Sequence, residues 1–200
     1  SKPINVAALM ALFDQEKFQL GDPVQKFLPA FRGDGREGVT VRHLLTHTSG
    51  LPDQLQENNA LRRRQARLAE FVEQTIRTPL GFAPGSRYQY SSMGILLAAR
   101  IGELLSGMDM LALVERNVFR PLGMDHSAQG LGRFRLEDMV PCQTEGAAPE
   151  SGSGDPQAKE WDWNSPYWRK LGVPWGGTHA SAPDVGRILA EFLRTGCLAG

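Results

Sequence analysis

Few of the signals that usually decide a function are present in this chain. Its 200 residues include two cysteines, Cys142 and Cys197, too few for a disulfide framework and without the CxxC spacing of a zinc or redox site. They allow one disulfide or two buried thiols. Excess charge is also missing. The 22 Lys+Arg balance 22 Asp+Glu, which removes the broad field expected of a nucleic-acid binder or a protein held on an anionic membrane. No nucleic-acid partner is expected. Apolar runs stop well short of the roughly 18 to 20 residues of a spanning helix, the longest lying at 6–13 and 93–99, so no membrane segment is expected in this stretch. There is no Walker loop, no dinucleotide fingerprint, no G-x-S-x-G elbow and no internal repeat. Alternating strand patterns are scarce.

Hydrophobic residues make up 41% of the chain, enough for a real core. Between Ile4 and Phe13 only Asn5 is polar, and a helix that is apolar nearly all round is one surrounded by protein. A short apolar pattern follows at 24–31. Thr40 is a good N-cap for a helix through His47, ended by Ser49-Gly-Leu-Pro52. The spacing predicts one amphipathic helix over 58–77, with Leu61, Leu68, Phe71, Val72 and Ile76 inward. Arg62, Arg63, Arg64 and Arg67 then read as a solvated face. Pro84-Gly-Ser86 makes a turn, and 91–105 forms a second nearly all-apolar helix in which Gly94 and Gly102 permit close contact. A helix at 108–119, a break at Arg120-Pro-Leu-Gly-Met124 and a last helix from Pro183 to Leu193 complete the pattern. The stretch 142–177 is read as loop. Its Trp161, Trp163, Tyr167, Trp168 and Trp175 are either the rim of a binding site or anchors that pin the loop to the body.

Three polar features are candidates for chemistry. Lys2 stands at the mouth of the buried first helix, where burial would pull down an amine pKa toward that of a usable base. Tyr90 stands at the junction of an extended turn and the second apolar helix, where a phenol can lie near an ammonium. His43 and His47 share i, i+4 spacing, but the metalloprotease pattern needs Glu after the first His and Leu44 is there instead. Neither a metal nor a cofactor is expected.

Taken together, Ser1-Lys2-Pro3 before an apolar helix, HLLTHTSGLP at 43–52, PGSRYQYSSMG at 84–94 and RPLGMDHS at 120–127 resemble the serine β-lactamase-related family. That family includes class C β-lactamases, D-alanyl-D-alanine carboxypeptidases and penicillin-binding-protein-like esterases. The resemblance implies an α+β β-lactamase/transpeptidase-like fold, here mostly helical with most of the central sheet missing. It places the lysine of the S-x-x-K motif at Lys2 and the nucleophilic serine three positions before it. The Tyr-x-Asn motif falls on Tyr90-Ser91-Ser92, so a hydroxyl replaces the amide that would hold substrate. The chain is therefore read as a partial domain, cut before the nucleophile and before the third Lys/His-x-Gly motif. The parent is expected to be a serine hydrolase that forms an acyl-serine on a small or peptide-like ester, amide or β-lactam. The fragment itself would be inactive. The competing reading is a catalytically silent relative kept as a binding module. A working site would hold the Lys2 amine about 3 to 4 Å from the Tyr90 hydroxyl. The central helix, lacking its sheet, is expected to expose apolar surface.

Overall fold

The computed structural model describes residues 1–194, so Cys197 lies outside the described residues. Helix α1 (Lys2–Asp14) carries Pro3 in its first turn, where a missing N–H costs nothing, and it buries Ile4, Ala8, Leu9 and Leu12. Its main neighbour is α5 (Ser92–Ser106). Ser91 caps α5 by accepting the Gly94 N–H at 2.9 Å. Gly107, at φ 70°, closes the other end. The small residues of α5 set how closely its neighbours approach. A Cβ on Gly94 would lie 3.2 Å from the Leu44 carbonyl of α2 (Val41–Leu45), and one on Gly102 would lie 3.3 Å from both Leu9 and Leu113.

The other helices wrap this pair: α3 (Asn58–Arg63), α4 (Leu68–Arg77), α6 (Met110–Val114), α7 (Pro166–Leu171) and α8 (Ala182–Arg194). Thr40 caps α2 as its sequence predicts, accepting from the His43 N–H while His43 Nδ1 accepts from the Thr40 N–H. Among the described residues the sheet is a single antiparallel pair, β1 (Ser127–Gln129) with β2 (Thr178–Ala180), in register Ser127 to Ala180. A mostly helical body with little sheet agrees with the expected β-lactamase-like fold. No described helix is long and apolar enough to cross a membrane.

A buried amide network ties the pair of strands to α1. Asn5 donates to Gln129 Oε1 at 3.0 Å, Thr178 donates to the same oxygen at 2.6 Å, and the Gln129 amide donates to the Gly172 and Val173 carbonyls. The one polar residue of the first helix is therefore its joint with the far end of the chain.

Several expectations fail for identifiable reasons. The single helix over 58–77 is two, broken at Gln65, which takes φ 54°. Arg62 is not on a solvated face. It is fully buried, because its guanidinium lies 3.8 Å from the Trp168 ring and finds backbone carbonyls at Glu150 and Trp161. The apolar pattern at 24–31 makes only a 3₁₀ turn, Val24–Lys26. The helix at 108–119 starts at Met110, capped by Asp109, and widens into a π-turn over Glu115–Phe119. Cys142 is exposed, not a buried thiol. The bare apolar surface expected on the central helix is found instead on α8. There Asp184, Ile188 and Glu191 face inward, while Val185, Leu189, Phe192 and Leu193 face solvent.

Candidate active site

The first residue of α1, the turn before α5 and the aromatic loop before β2 meet around a cavity of about 400 Å³. Lys2, Tyr90 and Ser92, the residues on which the family's two motifs fall, all line it. Lys2 Nζ donates to the Trp175 carbonyl at 3.1 Å and lies 4.5 Å from the centre of the Tyr90 ring. This is a cation–π contact, favourable for a charged amine.

The carbonyl is aimed by a tight turn. Gly176 and Gly177 both return their N–H groups to Val173, and a Cβ on Gly177 would lie 2.5 Å from the Val173 nitrogen. Only glycine fits there. Tyr90 also packs against His47, with ring centres 4.7 Å apart. His47 Nδ1 accepts the Ser91 N–H at 3.2 Å, which requires that nitrogen to be unprotonated. Burial first, and then the Lys2 charge, push the His47 pKa below its ordinary value, so the neutral ring is the one favoured.

Ser92 does not offer its proton to the cavity. Its hydroxyl and its backbone N–H, the latter at 2.9 Å, both donate to Asp53 Oδ1. A hydroxyl used this way has lone pairs left but no donor. Asp53 is the residue that sequence reasoning missed. It lies in the turn just beyond HLLTHTSGLP, and its carboxylate sits at the N-terminus of α5, where unpaired N–H groups favour negative charge. The only hint in the sequence is an acid beside a Pro, with nothing to say which helix it would reach.

The histidine pair is separated by the fold. Helix α2 ends at Leu45, and His47 lies beyond it at φ 58°, so His43 and His47 share no helical face. No cluster of three or more His, Cys, Asp or Glu suited to a metal occurs among the described residues. His179 lines the cavity with Nδ1 2.9 Å from the Gly130 carbonyl; burial, then the Arg169 charge, lower its pKa. The tryptophans divide between the two roles considered for them. Trp161 is buried beside Arg62 as an anchor, while Trp163, Trp168 and Trp175 form cavity wall.

Known proteins share this arrangement of sequence. The chain is 37% identical over 139 residues to the esterase EstB of Burkholderia gladioli, covering 62% of this chain and 35% of that protein. It is 35% identical over 133 residues to penicillin-binding protein 4* of Bacillus subtilis, covering 64% and 28%. The chain thus spans about a third of the length of these curated relatives. A penicillin-binding protein of Bacillus halodurans superposes with a TM-score of 0.68 at 27% identity, over 96% of this chain and 56% of that one. The Beta-lactamase family model matches residues 1–198. With nearly every residue inside that match and the fold to accompany it, the chain belongs to the beta-lactamase family.

Proposed function

We propose that this chain supplies the lysine and tyrosine of a serine hydrolase that works through an acyl-serine ester. The observation that carries the reading is the convergence of Lys2, Tyr90 and Ser92 on one aromatic-walled cavity. The nucleophile in this reading is a serine three positions before Lys2, outside the 200 residues. From there it would lie one helical turn from the amine, the i, i+3 relation that brings two side chains together. Lys2 and Tyr90 share the proton traffic: one takes the serine proton as the acyl bond forms, and the pair returns a proton to the departing alcohol or amine. Water then releases the acid by the same relay in reverse.

An ester is the substrate class these residues suit best. Ser92 has no donor to spare for holding an amide carbonyl, and activated esters need less such help than peptides do. The likeness to EstB points the same way.

The test is turnover of p-nitrophenyl acetate by the whole protein that carries this chain. Lys2→Met and Tyr90→Phe should each lower kcat/KM by about 10²–10⁴-fold, with melting temperature preserved. The 200-residue chain alone should show none. Full activity in Lys2→Met, or turnover by the isolated chain, would contradict the reading. A whole protein with Ala or Gly at the serine position would make it a silent binding module.

A further inference from the structure

Tyr90 is 47% exposed and Tyr88 is 66% exposed, so core packing does not hold the stretch that brings the phenol to the cavity. A single residue holds it instead. Four consecutive residues, Tyr88 to Ser91, each touch His47. Its ring meets the Tyr88 ring edge-on with centres 5.9 Å apart and the Tyr90 ring with centres 4.7 Å apart. Its carbonyl accepts the Gln89 N–H at 2.9 Å, and its Nδ1 accepts the Ser91 N–H at 3.2 Å. Among the described residues the Tyr90 ring has two partners, His47 and Lys2. His47 makes these contacts from a left-handed backbone, φ 58°, which a residue with a side chain keeps only where its surroundings impose it.

We propose that His47 is the positioning residue for Tyr90: its neutral ring straps residues 88–91 into the conformation that sets the phenol beside Lys2, and a proton on Nδ1 opens the strap. Nδ1 then carries a hydrogen where the Ser91 N–H points, and two donors face each other. The charged groups acting on the ring are Lys2 from α1 and Asp53 from the turn beyond the motif, and the phenols of Tyr88 and Tyr90 flank it. Burial, and after it Lys2, favour the neutral ring, while Asp53 opposes them. That the strap serves ester turnover rests on the hydrolase reading; the strap itself does not.

Two substitutions separate the acceptor from the ring. His47→Asn puts an oxygen in place of Nδ1, accepts at every pH and tolerates the left-handed backbone, whereas His47→Phe keeps a ring and loses the acceptor. In the whole protein that carries this chain, with p-nitrophenyl acetate at pH 7.5, we expect His47→Phe to lower kcat and kcat/KM together by about tenfold or more. His47→Asn should recover at least about threefold of that loss. Between pH 7.5 and 4.5 the ratio of native to His47→Asn kcat should fall by about threefold or more, because protonation steps common to both proteins cancel in the ratio. A ratio independent of pH, or native kcat in His47→Phe, would overturn the strap; if His47→Phe does not fold, the ratio decides alone. Hydrogen exchange reads the strap without turnover: at one pH the Ser91 amide should exchange about tenfold or more faster in His47→Phe than in His47→Asn. Equal exchange would overturn the strap even in an active esterase. Unequal exchange in a protein without turnover would sink the hydrolase reading and leave the strap standing.

Discussion

At the scale of single residues, the site is governed by which atoms are already committed. Lys2 is held by the Trp175 carbonyl and the Tyr90 ring. Ser92 is bound to Asp53, and His47 accepts from the backbone. Of these, the histidine carries a pH dependence. The folded-state pKa values of His47 and His179 both lie below the ordinary 6.5. Between those values and about 6.5 the unfolded chain binds more protons than the folded one, so stability rises with pH there and falls on acidification. The carboxylates with lowered values, such as Asp22, act only in a separate window near and below about pH 4. We therefore expect the melting temperature to drop between pH 7.5 and 5.5, and the paired change His47→Gln, His179→Gln to flatten that slope. An unchanged slope in the double variant would refute the assignment. Lys2, Tyr90 and Ser92 were legible as candidates because a motif spacing marks them. Asp53 and the Trp175 carbonyl were not, since each acts on a partner far away in sequence and one of them is backbone.

Among the elements, the motif HLLTHTSGLP behaves as packing. Gly50 takes φ 84°, and a Cβ there would lie 2.5 Å from the Phe82 carbonyl oxygen. The Gly81 N–H returns to the Gly50 carbonyl at 2.8 Å, closing the loop before α5. Gly50→Ala should cost about 1–3 kcal/mol or more from backbone strain alone, read as a lower urea midpoint. Activity per folded molecule should be retained; a specific loss of kcat in the folded variant would mean that the motif enters the chemistry. The apolar helices α1 and α5 could be read from composition because burial on all sides leaves one signature. The helix over 58–77 was misread for the opposite reason. Charge normally marks the outward face, and here an arginine turned inward to stack on tryptophan, while Gln65 broke the period at a position that carries no Gly or Pro. Long-range stacking of that kind has no local trace.

For the molecule as a whole, the exposed stripe on α8 matters most. Leu189 is 57% and Leu193 is 89% exposed, with Val185 and Phe192 beside them, and contiguous apolar surface of this kind drives association. The 200-residue chain should self-associate at micromolar concentration in size-exclusion chromatography with light scattering. Leu189→Glu combined with Leu193→Glu should shift it to monomer. A monomeric parent chain under the same conditions would refute this. The cavity also joins distant parts of the chain. Lys2 rests on Trp175, Ser1 accepts from the Thr178 N–H, and Asn5 reaches Gln129. Contacts of such separation close late in folding, because the loop entropy must be met before they form. As the polypeptide leaves the ribosome, Lys2 thus waits for the Trp175 turn, 173 residues later, to emerge. A nascent chain stalled before the Trp175 turn would have its second helix in place and no seat for its ammonium.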